Sequence, residues 1–194
     1  MVFLDVALLA LLLGALLGGS LGRLAEATVR ASWLAFAAIA LQVAAFPSGV
    51  LPWSMPSQLA RGLWVGSYLL LFAFLAANRR LTGLPVVAAG AACNLLAVLA
   101  NGGLMPVRPA ALRAAGRSYQ IHNNSIDLVR PHLAWLVDRF AAPRWLPFAN
   151  VFSVGDVLIA IGIMLAILAA MGATLGPPRL RRIPLRALAS PERD

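Results

Sequence analysis

Six polar side chains beside two long apolar segments are suited to binding a ligand. Asn101 follows one of these segments and Asp156 begins the other, and the remaining four lie in the polar loop between them. Arginine suits phosphate and carboxylate groups, because its planar fork donates two parallel hydrogen bonds. We therefore predict an anionic ligand site here; the alternative is that most loop arginines only contact lipid headgroups. The six candidates are Asn101, Arg108, His122, His132, Arg139 and Asp156.

The same region carries residue types that an enzyme would need. Two histidines and three carboxylates could form a metal site or an acid–base pair at the membrane surface. The chain has no HExxH, paired DxxD or nucleophile motif, and nearby arginines are equally good partners for the loop aspartates. Binding is therefore favoured over catalysis, and no catalytic residue, metal or cofactor is assigned. The residues of the enzyme hypothesis are His122, His132, Asp127, Asp138 and Asp156.

Asp156 has two competing interpretations. Ser153 lies three residues before it, which is the spacing of a capping box, and an acid at that position also favours the helix dipole. An ionisable side chain at membrane depth is instead a candidate functional group. If the loop folds back onto the helices, Asn101 and Asp156 should meet in a small polar cavity beneath a helix over residues 132–140.

Composition indicates a membrane protein. The 194 residues are 61% hydrophobic, with 12% charged residues and a net charge of +9, and the mean hydropathy is +0.83. Soluble domains carry about 25% charged residues. Every basic residue is an arginine that lies between or beside apolar segments, which favours anionic lipid over nucleic acid as the partner. The single cysteine, Cys93, excludes an intramolecular disulfide.

We predict an all-α, polytopic membrane protein with about five transmembrane helices. Residues 1–175 form the transmembrane domain, and residues 176–194 form a basic cytoplasmic tail. Arginines in the short connections place the N-terminus outside and the C-terminus in the cytoplasm of a bacterial inner membrane. The predicted spans are residues 4–22, 32–46, 59–77, 84–100 and 154–171, with a surface loop over residues 101–153.

Small residues at four-residue spacing predict close helix packing. Gly14, Gly18 and Gly22 form one such stripe, and Gly162 begins another in the last span. Small residues let the backbones of neighbouring helices approach closely. These faces are candidate contacts for a protein partner or for a homo-oligomer.

Three short helices are predicted within the loop. The pattern favours a helix from Pro109 to Gln120 and a brief helix, capped by Asn124 or Ser125, that ends near Val129. Apolar residues at helical spacing then predict an amphipathic surface helix over residues 132–140.

Several runs in order resemble one family of bacterial membrane proteins. They are Asn101-Gly-Gly-Leu-Met-Pro106-Val107, the polar segment with His122, Leu136-Val-Asp138-Arg139, and Asn150-Val-Phe-Ser153-Val-Gly-Asp156-Val-Leu-Ile. The chain resembles the small multi-span family catalogued as domain of unknown function 5317. The resemblance implies a multi-span bacterial inner-membrane protein and implies no activity.

Binding of an anionic lipid or an amphipathic ligand at the outer membrane surface, with transport as an extension, is the function that we expect. One alternative is an accessory subunit that packs into a larger membrane complex through its small-residue faces. The other is a membrane-embedded enzyme that uses His122, His132 and Asp156. A repeat-type transporter is disfavoured, because five spans with no internal duplication do not form an inverted repeat.

Overall fold

The computed structural model describes residues 2–46, 56–116, 125–143, 145 and 150–174. These ranges are mostly helical and also contain four short strands. The helices are α1 (Val2–Leu16), α2 (Leu21–Glu26), α3 (Ser32–Ala45), α4 (Ser57–Ala77), α5 (Leu84–Ala100), α6 (Pro109–Ala114) and α7 (Val154–Met171). The strands are β1 (Met105–Val107), β2 (Ser125–Asp127), β3 (Phe140–Ala141) and β4 (Val151–Phe152).

Five helices pack side by side in the order α3, α4, α5, α7, α1. The last pair, α7 and α1, is parallel, because Gly14 near the end of α1 faces Met171 at the end of α7. The other neighbours in the row are antiparallel. For example, Gln42 of α3 donates to the Ser67 hydroxyl of α4 over 3.0 Å, and the Asn78 side chain after α4 pairs with the backbone of Arg30 before α3. We call the end of the row that carries the C-terminus of α5 and the N-terminus of α7 the loop end, and the opposite end the far end.

Glycines bring α5 and α7 into backbone contact. A Cβ on Gly162 would lie 2.7 Å from both the Gly83 carbonyl oxygen and the Val87 nitrogen. A Cβ on Gly90 would lie 2.5 Å from the Gly155 carbonyl oxygen. No side chain fits at these points, so the close approach of the two helices requires glycine.

The glycine stripe of the first span is not a single packing surface. Gly14 does face α7, where an added Cβ would meet the Met171 side chain. Gly18 has a φ of +77° and no heavy atom within 4 Å of an added Cβ, and the Gly19 nitrogen donates to the Gly14 carbonyl over 2.8 Å. Among the described residues, a Cβ on Gly22 would meet only the Ser20 hydroxyl within 4 Å. The prediction that Gly18 and Gly22 pack against a neighbouring helix is therefore wrong. Gly18 lies just beyond the end of α1, which stops at Leu16 and not near residue 22.

The loop is built from short strands more than from helices. β1 pairs in parallel with β2 and forms a further parallel bridge from Val107 to Asp138, and β3 pairs with β4 in antiparallel fashion. A short helix does begin at Pro109, as predicted, and ends at Ala114. The predicted helix near Ser125 is wrong, because β2 occupies this position.

The predicted amphipathic helix over residues 132–140 is also wrong. Residues 132–136 form turns, and the backbone then pairs with β1 and β4. Leu136 and Val137 are fully buried. Leu136 packs with Met105 against the Trp64, Tyr68 and Val98 side chains, so this segment seals the loop end of α4 and α5.

Two helices are long and apolar enough to cross a membrane, namely α4 and α7; α1, α3 and α5 are shorter apolar helices. Burial is low in the two longer helices. Within the 18-residue apolar stretch of each helix, 28% of α4 and 17% of α7 is buried inside the protein. Large apolar side chains on every helix of the row are exposed, among them Leu12, Phe36, Leu69, Leu96 and Ile161.

Candidate functional site

Asp156 lies in a hydrogen-bond network that joins α7 to α5. Ser153 and Asp156 form the predicted capping box: the Ser153 nitrogen donates to Asp156 Oδ2 over 2.9 Å, and the Asp156 nitrogen donates to Ser153 Oγ over 3.0 Å. Asn94 Nδ2 of α5 donates to Asp156 Oδ1 over 2.8 Å. Asp156 therefore caps its own helix and also bonds to the neighbouring one.

From the sequence we expected Asn101 beside Asp156, and Asn94 was not identified as its partner. Ser153 Oγ lies 2.8 Å from Asn94 Oδ1 and 2.9 Å from Asp156 Oδ2, so its single proton can be donated to either oxygen. A Cβ at Gly155 would overlap the Asn94 side chain. The glycine in the Ser153–Asp156 run is the signal that a side chain from another helix reaches this turn.

Asn101 binds the loop backbone and makes no hydrogen bond to Asp156. Its Nδ2 donates to the Ala97 carbonyl over 2.7 Å and to the His132 carbonyl over 3.0 Å, and its Oδ1 accepts from the His132 nitrogen over 2.9 Å. Asn101 and Asp156 do lie at the same end of the helix row. The predicted meeting of the two is nevertheless wrong, because Asn94 is closer to the first turn of α7.

We expect Asn101→Leu to release the segment around His132 from the end of α5. The leucine side chain cannot replace the paired hydrogen bonds to the His132 backbone. Hydrogen exchange of the amides in residues 132–138 should become at least about tenfold faster, since roughly 1.4 kcal/mol corresponds to a tenfold change in opening.

Asn78→Leu is the matched control for this experiment, because Asn78 makes the same kind of backbone pair at the far end. Its effect should be confined to the far end, where the start of α3 meets the end of α4. Unchanged exchange in residues 132–138 of the Asn101 variant would contradict the role given to Asn101.

The other predicted residues are dispersed. Arg108 precedes α6, and its backbone nitrogen donates to the Asp138 carbonyl over 2.9 Å. His132 is exposed and is held through its backbone. His122 lies outside the described residues, and within the described residues no three His, Cys, Asp or Glu side chains come together.

Arg139 lies at the end of an aromatic stack. Its guanidinium carbon is 5.5 Å from the centre of the Phe140 ring, and the Phe140 ring centre is 5.5 Å from that of Phe152. Such a position over an aromatic face is favourable for a cation. Because Phe140 and Phe152 are directly paired in β3 and β4, the stack is fixed by the strands.

An apolar groove runs along α7 below this stack. Its volume is 190 Å³, and Asp156 is the one charged residue among the lining residues that the structure describes. We predicted a polar cavity between Asn101 and Asp156, whereas this groove is apolar and lies along α7. The prediction is therefore wrong in both the polarity and the position of the cavity. The groove is lined by Val6, Phe152, Asp156, Val157, Ala160, Ile161 and Met164.

Comparison with known proteins shows that residues 26–168 match a family of unknown function, DUF5317. An uncharacterized protein of Thermotoga maritima is 31% identical over 104 residues, which cover 51% of this chain and 58% of that protein. The match thus spans less than two thirds of the relative's length. No solved structure matches the chain.

Proposed function

This chain belongs to the DUF5317 family, and from that premise we propose that it is a five-span membrane protein that binds an anionic lipid along α7. The acyl chain would occupy the groove between α1 and α7, and the headgroup would contact Arg139. The observation that carries the proposal is the apolar groove, which begins at Phe152 beneath Arg139 and is partly open at its side.

Exposed apolar surface supports the five spans. All five helices of the row expose large apolar side chains, and an exposed apolar surface of this extent is unfavourable in water. At about 1.5 Å per residue, α4 is roughly 32 Å long and α3 roughly 21 Å, so the shorter helices would require local thinning of the bilayer.

Charge supports an orientation with the far end in the cytoplasm. Arg23 and Arg30 lie in or after α2 at the far end, and Arg79 and Arg80 follow α4 there. Cytoplasmic connections are enriched in arginine. The N-terminus, the loop and Arg139 would then face the outside of a bacterial inner membrane, which is the orientation expected from the sequence.

The groove has dimensions and chemistry that suit part of an acyl chain. Its volume of 190 Å³ is too small for a whole lipid. The side chains of Val157, Ala160 and Ile161, which line the groove, offer an acyl chain no hydrogen bonds. A headgroup must therefore lie beyond the groove, where Arg139 is exposed and can donate two hydrogen bonds to a phosphate.

We expect Arg139→Gln to weaken binding of phosphatidylglycerol about tenfold, because one charge-assisted contact is lost. Binding is measured by native mass spectrometry of the purified protein with phosphatidylglycerol and with phosphatidylcholine. Ala160→Phe should also reduce binding, since its ring would fill the groove while leaving every arginine in place.

Arg80→Gln is the matched control, because it removes an exposed arginine from the far end. Equal loss in the Arg80 and Arg139 variants would indicate general attraction to anionic lipid and would contradict a defined site. A stoichiometric protein partner that survives mild detergent, with no retained lipid, would instead support the accessory-subunit alternative.

A further inference from the structure

Asp138 is held against the first turn of α7 by backbone pairing. Its nitrogen donates to the Pro106 carbonyl over 3.0 Å, and its carbonyl accepts from the Arg108 nitrogen over 2.9 Å. The next residue, Arg139, donates its backbone nitrogen to the Phe152 carbonyl over 3.2 Å. Because β3 and β4 run antiparallel, this register places Asp138 beside the start of α7, where Ser153 and Asp156 lie.

One oxygen of the Asp138 carboxyl is buried without a partner. Its Oδ1 atom is fully buried and accepts no hydrogen bond from the described residues. Asp156 differs, since both of its oxygens accept hydrogen bonds from the described part of the chain. A buried carboxylate oxygen without a partner is unfavourable, so a partner from outside the chain would stabilise it.

The surroundings of Asp138 are negative and rich in oxygen. Burial, and next the carboxylate of Asp156, raise the pKa of Asp138 well above its usual range. Among the described residues, Asp156 of α7 and the Tyr68 hydroxyl of α4 lie close enough to Asp138 to interact with it electrostatically. Asn94 of α5 in turn bonds to Asp156. Arg108 and Arg139 flank it along the backbone, and neither side chain forms a hydrogen bond or an ion pair with it in the described structure.

We propose that Asp138 and Asp156 bind a hard divalent cation of the Ca²⁺ type beneath the loop, with the side-chain oxygens of Asn94, Ser153 and Tyr68 as further donors. A divalent ion would neutralise both carboxylates and satisfy Asp138 Oδ1. Oxygen donors in an irregular arrangement suit Ca²⁺, whereas Mg²⁺ requires near-octahedral geometry and zinc prefers nitrogen and sulfur. The proposal does not depend on lipid binding in the groove.

The ion would join the loop to the helices. Asp138 belongs to the segment that covers α4 and α5, whereas Asp156 and Asn94 belong to α7 and α5. Binding would therefore hold the segment of residues 136–142 on the loop end and stabilise the native state relative to the unfolded chain.

The test is thermal unfolding of the full chain in detergent, first with chelator in choline chloride and then with CaCl₂, MgCl₂ or NaCl at matched ionic strength. Saturating CaCl₂ should raise the Tm by on the order of 5 °C, and NaCl should not. Asp138→Asn should abolish this rise, whereas Glu26→Gln, which removes an exposed acid at the far end, should retain it.

Calorimetric titration of the wild-type chain with CaCl₂ is independent of whether the Asp138 variant folds. One ion bound per chain is expected. Heats no larger than dilution, or an equal Tm rise with NaCl, would overturn the proposal. A Tm that responds to acid but to none of the three cations would also overturn it, because a proton would then be what satisfies Asp138.

Discussion

Replacing Gly162 by alanine is expected to lower the free energy of unfolding by about 2–3 kcal/mol, which is typical of an overpacked core. The added Cβ would lie 2.7 Å from the Gly83 carbonyl oxygen and the Val87 nitrogen, and both of these are backbone atoms. No rotation of a side chain relieves such an overlap, so α5 and α7 must move apart. The measurement is equilibrium unfolding of the purified protein in mixed detergent, followed by circular dichroism.

Gly66→Ala is the matched control, because Gly66 is also within a helix of the row. An added Cβ there meets no heavy atom within 4 Å. Alanine is favoured over glycine inside a helix by up to about 1 kcal/mol, so this variant should be as stable as the wild type or more stable. If the two variants were equally stable, the close contact between α5 and α7 would not contribute to folding.

Replacing Asp156 by asparagine is expected to destabilise the protein by about 2–3 kcal/mol, because charge-assisted hydrogen bonds are lost and donors are left unpaired. Both Asp156 oxygens accept, one from Asn94 and the other from the Ser153 nitrogen. An asparagine can present only one oxygen. In either orientation its NH₂ group therefore faces another donor.

Asp5→Asn is the control for this second variant, since Asp5 is likewise an acid in the first turn of an apolar helix. No hydrogen bond from another helix to Asp5 occurs in the described structure, so only the smaller dipole effect is lost, about 0.3–1 kcal/mol. Both variants are compared by thermal unfolding in the same detergent. An Asp156 variant as stable as the Asp5 variant would show that the bond to Asn94 contributes nothing.

The Asp156 variant also bears on the two interpretations drawn from the sequence. A simple capping box accounts for the bonds to Ser153, and it predicts no contact with another helix. The bond from Asn94 is additional, because it crosses from α5 to α7 over 62 residues of sequence. Capping and helix pairing therefore use the same carboxylate, and loss of the carboxylate affects both.

The positions of the long helices follow from the sequence by itself. Apolar runs bounded by proline, glycine and arginine predict spans over residues 32–46, 59–77, 84–100 and 154–171, and the helices α3, α4, α5 and α7 occupy nearly the same residues. The capping box at Ser153 is likewise local, since its two partners are three residues apart. Such features need no information from the rest of the chain.

The loop shows what a local pattern does not determine. Residues 132–140 have apolar side chains at helical spacing, yet they form turns and strand pairs. Leu136 and Val137 are both buried, and Leu136 belongs to the apolar cluster of α4 and α5. A short apolar run satisfies helix and strand periodicity alike. Its backbone hydrogen bonds to Pro106 and Phe152 decide between them.

The identity of the buried polar cluster also depended on tertiary structure. The sequence shows that Asn94, Asn101, Asp138 and Asp156 are polar residues in or beside apolar segments, but it contains no measure of their depth. The antiparallel register of α5 and α7 brings Asn94, and not Asn101, to Asp156. That register is set by the glycines at positions 83, 90, 155 and 162, where backbone meets backbone across the two helices. The residue types are therefore encoded locally, whereas their pairing is decided by how closely two distant helices can pack.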